Sequence, residues 1–456
     1  MFKRNDPFFG DGRGTRLPLR SLVAVVIAML GAAAAAAPAS DTSGQRPASL
    51  QPAATSPGSA SQTIANTPLT LAQAVDRALQ THGDVAAAQR LVEATQGQVV
   101  QGSVRPNPEL AYSLEDTRFA TRSQSWQLNL PLELGGKRRA RIAAAERARE
   151  QAHAQWAAVR ATLQADVGTA YFDALAAQER LALARDSAAL AKLAADAVGK
   201  RVSAGKVSPV EETKARVAEA GVWLELAQAA SDERNALTRL RSLVGLAPSA
   251  PLTLVSTGDA MPWVPPLNAL QETAESAPTL VQARLEVDRR QALTAVEQSK
   301  RVPDITVSAG VKRANDAERN VVLLGVSIPL PMFDRNQGNL LEALRLEDKA
   351  RDELQAARIR FGSELMQAHD RLSTLAEEAR LLQTDVLPGA KSAYDAATLG
   401  FDNGKFSFLE VLDAQRTYFT AKAQFLKTLA DAHRAAADID RLLGRSASAP
   451  LNPPLQ

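Results

Sequence analysis

The sequence predicts a mainly α protein with a membrane β part, built as an internal tandem duplication. Three observations lead there: a gapless match between the two halves, two pairs of short alternating strands, and helical runs too long for one globular domain.

The self-match lies at an offset of 199 residues. Gly205-Lys206 matches Gly404-Lys405, Ser208 matches Ser407, Glu211 matches Glu410 and Ala215 matches Ala414. Asp232 matches Asp431, and Leu243-Val244-Gly245 matches Leu442-Leu443-Gly444. Upstream, LAQAVDRALQTHGDVAAAQR from Leu71 pairs with LNALQETAESAPTLVQAR from Leu267 across a two-residue gap. LNLPLELGGKRR from Leu128 pairs with VSIPLPMFDRNQ from Val326. Solenoid periods run to about 20–50 residues, so this is one large unit used twice.

The strands come in pairs. Leu110, Tyr112 and Leu114 alternate with smaller or polar residues, as do Trp126, Leu128, Leu130 and Leu132. The second pair carries Ile305, Val307, Ala309 and Val311, then Val322, Leu324, Val326 and Ile328. Period-two alternation over about ten residues marks a half-buried strand and has the length of an outer-membrane barrel strand. A soluble hairpin packed on helices fits the same pattern. Pro131, Pro329 and Pro331 sit at strand ends, where a missing N–H is tolerated.

From Gly136 to the turn at Gly205 there is no proline. Roughly 65 helical residues would span about 100 Å. Leu163, Val167, Ala170, Ala174, Ala177, Leu181, Ala184, Ala188, Ala191, Ala195 and Val198 step by 4 and 3, a heptad seam. In the second copy Leu412, Phe419 and Leu426 are spaced by seven, as are Leu429, Ala436 and Leu443. Each unit thus reads as a helix-like segment, two strands, a very long helical run, a glycine turn and a second long run.

Composition agrees. The chain is 45% hydrophobic but only 4% aromatic, which suits long helices packed through small residues. It has no Cys, which excludes disulfides, thiolate metal sites and a cysteine nucleophile, and also a lipid-modified cysteine. The net charge of +3 resides in residues 1–39, through Lys3, Arg4, Arg13, Arg16 and Arg20 against Asp6 and Asp11. The remainder is neutral, so nucleic acid is not an expected partner. Residues 1–39 read as a secretory signal peptide: a basic start, the apolar stretch 22–37, and Ala37-Pro38-Ala39 as cleavage site. The stretch is short of the roughly 20 apolar residues a membrane-spanning helix needs. Residues 40–66 read as a flexible lead-in.

Four strands cannot close a barrel, which takes about eight or more, and an open sheet edge in lipid leaves backbone groups unpaired. If the hairpins enter a membrane, the chain must form a homo-oligomeric channel.

At this point the chain resembles the TolC-type outer-membrane efflux proteins over about residues 68–445. The duplicated order and the stretch TLGFDNGKFSFLEVLDAQ from Thr398 carry the likeness. PLELGGKRRARI from Pro131 is similar to the heavy-metal group, the cobalt–zinc–cadmium and copper–silver outer-membrane components. The resemblance implies a trimeric 12-stranded β-barrel, with four strands per chain, continuing into a 12-helix periplasmic α-barrel. It implies a homotrimer in the outer membrane of a Gram-negative bacterium, in contact with outer-membrane lipid. It also implies two partners, a periplasmic adaptor protein and an inner-membrane proton-driven pump. The expected organisation is the signal peptide (1–39), the flexible segment (40–66) and a first repeat over 67–245, with strands within 105–133 and a helical hairpin over 136–245. An equatorial linker follows at 246–266. The second repeat covers 267–444, with strands within 302–330 and a hairpin over 336–444, before a tail at 445–456.

Three sets of residues follow from the resemblance. The tip turns, Gly205 and Lys206 with Gly404 and Lys405, correspond to the adaptor-docking tips; glycine there also simply permits a tight turn. Glu410 and Asp413 correspond to acidic positions lining the periplasmic aperture; the alternative is a solvated helix face. The first copy has Glu211 and Lys214 instead, so the ring is not fully duplicated, and Phe401 stands where some relatives carry a tyrosine. The third set, Glu133 to Arg139, is expected to shape the strand-to-helix swivel.

His82, His153, His369 and His433 are scattered, so no resident metal site or cofactor is expected. His433 falls on the Leu412 seam and is expected to be packed. No nucleophile–base arrangement or phosphate loop stands out, so the chain reads as a passive conduit and not an enzyme. The expected function is the exit duct of a tripartite efflux system for heavy-metal cations. Organic-drug efflux or type I protein secretion through the same fold is the alternative, and a soluble periplasmic coiled-coil scaffold is a third.

Overall fold

The computed structural model describes residues 68–116, 118–255, 260–314, 319–403, 405–406 and 408–445. The expected signal peptide, the segment 40–66, Gly404 and the tail after Arg445 lie outside the described residues.

Helix α1 (Leu71–Thr81) opens on a capping box: Thr70 Oγ1 accepts from the Gln73 N–H, and the Gln73 side chain accepts from the Thr70 N–H. His82 is extended and separates α1 from α2 (Gly83–Ser103). Strands β1 (Glu109–Glu115) and β2 (Ser123–Leu132) follow, then α3 (Lys137–Ser203) and α4 (Pro209–Leu243). The second copy repeats the order: α5 (Leu267–Thr273), α6 (Pro278–Lys300), β3 (Ile305–Ala314), β4 (Arg319–Ser327), α7 (Gln337–Leu381), α8 (Leu387–Asp402) and α9 (Phe408–Leu443).

The two strand pairs form one antiparallel sheet in the order β1-β2-β3-β4. The β2–β3 ladder therefore joins the two copies. Opposed residues share a face, so the register Tyr112↔Trp126↔Val311↔Val322 sorts the side chains. Leu110, Leu128, Val307, Leu324 and Val326 fall with that row, while Ser113, Ser125, Gln127, Asn129, Ser308 and Lys312 fall on the opposite face. Among the described residues nothing covers the apolar face: Leu324 is 81% exposed and Leu110 66%. On the polar face Ser113 and Ser125 share a 2.6 Å hydrogen bond, and Lys312 Nζ lies 2.5 Å from a Glu115 carboxylate oxygen.

Helix α3 runs unbroken for 67 residues, about 100 Å. Its heptad seam is buried as the spacing predicts, with Ala184 the one position left partly exposed. In α9, Leu426, Leu429, Ala436 and Leu443 are buried, and Leu412 and Phe419 partly so. Helix α3 packs on α2, α4, α6 and α9, while α9 also packs on α7 and α8. The helices thus lie side by side as α4, α3, α9 and then α7 with α8. Small seam residues let these axes approach closely.

The second long run departs from expectation. Where α3 continues, the second copy carries a single π turn, Leu382–Val386, between α7 and α8. Pro388 is the cause. It has no N–H for the Thr384 carbonyl, and its ring would strike that carbonyl in a regular helix; one extra residue in the turn relieves the clash. The first copy has Ala189 at the equivalent position.

Each repeat closes on the same device. Gly245 has φ +65° and Gly444 φ +69°. A Cβ on Gly245 would come within 2.6 Å of Thr81 Oγ1, and one on Gly444 within 2.6 Å of Pro278 Cγ. Only glycine satisfies both the left-handed backbone and the close approach.

Candidate functional site

Three features of the chain could position function: the sheet-to-helix junction, the middle of the helical layer and the two tips.

At the junction, Gly135 and Gly136 have φ +69° and +74°, so the chain leaves β2 through two left-handed residues. A Cβ on Gly135 would lie 2.7 Å from Val302 Cβ. The basic cluster behind them is largely tied down. Lys137 pairs with Asp304 at 2.7 Å, Arg138 Nε donates to the Ser103 carbonyl at 2.6 Å, and Arg141 forms a two-pronged pair with Glu133. This agrees with a structural role for Glu133 to Arg139. The second copy uses a left-handed Asn336, whose Nδ2 donates to the Glu297 carbonyl at 2.9 Å and to its carboxylate at 2.8 Å.

In the middle of the helical layer, Tyr171 is fully buried, and its hydroxyl lies 3.0 Å from the Leu69 carbonyl and 2.8 Å from that of Val255. These flank the parallel bridge Leu69↔Leu254. Next to it Phe172 stacks on His433 with centroids 3.8 Å apart. His433 Nε2 lies 3.1 Å from the Ala260 carbonyl. The histidine is packed, as its seam position predicts, and burial pushes its pKa down to about 4 against a smaller opposing effect of the Ala260 bond. Arg434 reaches both Asp173 and Asp431 at 2.5 Å, tying α9 to α3. Asp440 is pushed up to about 6 by burial, with Arg445 opposing.

Both tips are closed by one hydrogen-bond pattern. The Lys206 N–H donates to the Arg201 carbonyl at 2.9 Å, and the Lys405 N–H to the Gly400 carbonyl at 2.8 Å. Gly205 has φ +72°, and nothing lies within 4 Å of where its Cβ would be. Lys206 and Lys405 are exposed. Ser208 caps α4 through the Val210 N–H at 3.3 Å, ahead of Pro209. The tips differ at equivalent positions 201 and 400. Gly400 leaves room for the Phe406 ring, which a Cβ there would overlap. Arg201 instead reaches across to the Phe401 ring, 4.2 Å from its centroid. Sequence reasoning missed this contact; the signal was the Arg/Gly mismatch at the two aligned positions.

Glu410 and Asp413 are both exposed in the first turns of α9. Their i, i+3 spacing puts them on one helix face. Their first-copy counterparts, Glu211 and Lys214, neutralise one another at 3.1 Å. The acidic pair is thus peculiar to the second copy. Among the described residues, no group of three or more His, Asp or Glu side chains is arranged to hold a metal ion. No helix there is long and apolar enough to cross a membrane.

A further signal was legible but unread. Val210, Val217 and Leu224 recur every seven residues on α4 and are exposed. On the far side of the helix row, Ile359 and Met366 of α7 repeat the spacing, and Leu399 of α8 is exposed too.

Comparison with known proteins now bears on these features. The model of the outer membrane efflux protein family matches residues 74–246 and 269–445, the two repeats in turn. The cobalt-zinc-cadmium resistance protein CzcC of Cupriavidus metallidurans is 48% identical over 378 residues, 83% of this chain and 90% of that one. The nickel and cobalt resistance protein CnrC of the same organism is 28% identical over 274 residues, 59% of this chain and 65% of that one. Among solved structures, the CmeC outer membrane channel of Campylobacter jejuni superposes with TM-score 0.71 at 16% identity, covering 82% of this chain and 85% of that one. CusC gives 0.70 at 18% identity, covering 82% and 92%. At such identities the likeness is one of fold. The uncovered apolar sheet face, the long helical hairpins and these matches agree, and the chain belongs to the outer membrane efflux protein family, as an outer-membrane efflux channel of Gram-negative type.

Proposed function

We propose that the chain is the exit duct of a tripartite resistance-nodulation-division-type efflux system for heavy-metal cations. The observation that carries this is the 48% identity, across 83% of the chain, to a cobalt-zinc-cadmium resistance protein. The duct is passive and its energy comes from an inner-membrane proton-driven pump.

A homotrimer suits the geometry. The sheet has two edges, β1 and β4, and a four-stranded open sheet would leave their backbone groups unpaired in lipid. Three copies supply 12 strands, enough to close a barrel. The heptad stripes on α4 and on α7 with α8 lie on opposite sides of the protomer, so head-to-tail contact would bury both and close a ring. Membrane lipid would then bathe the apolar sheet face, and the polar face with Lys312 and Glu115 would line the lumen.

The aperture reading of Glu410 and Asp413 rests on their shared helix face and their exposure, and on an acidic residue standing at 413 where the first copy has Lys214. Three copies would set six carboxylates around one mouth, which draws cations. The docking reading of Gly205, Lys206, Gly404 and Lys405 rests on the exposed lysines and the open space over Gly205. A periplasmic adaptor is the partner for these tips. Export by a leader over residues 1–39, without a lipid anchor, completes the proposal.

The test is metal retention in a deletion strain. Cells are loaded in turn with Co²⁺, Zn²⁺, Cd²⁺, Ni²⁺, Cu⁺ and Ag⁺, and cell-associated metal is followed with and without the restored gene. Excess retention of a subset in the deletion is expected and names the cargo. Equal retention of every metal, with the pump expressed, would transfer the duct to drug or protein export.

A further inference from the structure

The sheet has two ends. At one, the β1–β2 and β3–β4 connections turn back; at the other, all four strands run into helices. Basic side chains gather at the helical end. Arg105 precedes β1, Arg138 and Arg139 follow β2, Arg301 precedes β3 and Arg335 follows β4, and all five are exposed.

Three of the carboxylates there are already held by cations. Glu133 is held by Arg141, Asp304 by Lys137, and Glu297 by Lys300 and Asn336. Glu109 falls on the polar face with Asn129. Arg138 and Arg335 bond only to carbonyls, those of Ser103 and Pro331. Arg105, Arg139 and Arg301 have no side-chain hydrogen bond or ion pair among the described residues. Arg138 and Arg139 border an open cleft of about 580 Å³, with Glu133 and Glu146 as its acidic walls. Large apolar side chains stand exposed beside these cations: Val104, Leu134, Val302 and, at 89%, Phe333.

We infer that this rim is a binding surface for anionic phospholipid headgroups in the periplasmic leaflet. The inference rests on the reading that the apolar sheet face lies in the membrane. The sheet face continues into Leu134 and the neighbouring apolar residues, so acyl chains packed along it would bring their phosphates level with the guanidiniums. Guanidinium matches phosphate in charge and in paired N–H geometry. One basic side chain at an anionic membrane surface contributes about fivefold in binding. With Glu133, Asp304 and Glu297 each held by another cation, lipid phosphate is the natural partner for Arg105, Arg139 and Arg301.

The experiment uses the purified full-length oligomer in detergent. It is offered phosphatidylglycerol or phosphatidylcholine of the same chain length, and retained lipid is counted by native mass spectrometry. The wild type should retain phosphatidylglycerol about fivefold or more over phosphatidylcholine, and salt should weaken that preference. A triple Arg105→Gln, Arg139→Gln, Arg301→Gln variant should lose the preference while still binding both lipids. None of the three makes a contact the fold needs, and unchanged helical circular dichroism checks this. Equal retention of the two lipids by the wild type overturns the headgroup assignment, as does an undiminished preference in the variant. Retention of neither lipid by the wild type overturns the membrane reading of the sheet as well.

Discussion

The guanidinium of Arg201 lies 4.2 Å from the ring centroid of Phe401, so the last turn of α3 in one copy holds the last turn of α8 in the other. The position equivalent to Arg201 in the second copy is Gly400, so the duplication has been made asymmetric at this point. A cation over an exposed ring contributes about 0.5–1 kcal/mol. Arg201→Ala and Phe401→Ala should each speed hydrogen exchange in both tips a few-fold. The double variant should go little further than either single one, because the two residues act as a pair. Fully additive effects would show that the contact contributes nothing.

Gly205 separates strain from space. Its left-handed backbone makes any other residue costly, by about 1–2 kcal/mol, yet nothing occupies the region a side chain would enter. Gly205→Val should therefore assemble in the membrane in normal amount. If the tip docks the adaptor, the same variant should lose most metal export. Normal export would remove the tip from the docking surface.

The acidic pair of α9 makes a separate prediction. Glu410→Ala combined with Asp413→Ala should lower cation-over-anion selectivity in planar-bilayer recordings, read as a shift of reversal potential toward zero in a salt gradient. Neutralising Glu211 alone should do less, since Lys214 already balances it. An unchanged reversal potential in the double variant would return Glu410 and Asp413 to the solvated face of the helix.

His433 predicts a pH dependence. Burial lowers its folded pKa to about 4 from 6.5. The unfolded chain then binds the extra proton first, so stability falls as pH drops from about 6.5 to about 4 and is flat for this group above 7. The full shift sets an upper bound of roughly 3 kcal/mol per protomer, which the partial exposure of the ring reduces. His433→Phe keeps a ring against Phe172 and should flatten that part of the pH profile of thermal melting. An equal acid-side slope in wild type and variant would assign the loss to other groups.

Much of this molecule is written in local pattern. Heptad spacing placed the α3 seam from Leu163 to Val198, because burying one helical stripe needs only the right period. Alternation placed all four strands, and the glycine turn at 205 follows from a backbone only glycine adopts readily. The offset match placed Glu410 against Glu211 and Asp413 against Lys214, and so showed the second copy to be the more acidic there. The lack of cysteine and the confinement of the net charge to residues 1–39 likewise needed nothing beyond the sequence.

Tertiary structure decided what depends on distance across the chain. The joining of β2 to β3 merges two hairpins into one sheet, and with it fixes which side chains share a face. The π turn before Pro388 needed the backbone itself, since a proline in a helical run can kink, break or be absorbed. The stacking of His433 on Phe172, the reach of Arg434 to Asp173 and of Arg201 to Phe401, and the pairing of Lys137 with Asp304 all link residues far apart in sequence. Periodicity reports which side of an element is buried. It does not report which partner buries it, because that is set by the packing of whole helices and the register of whole strands.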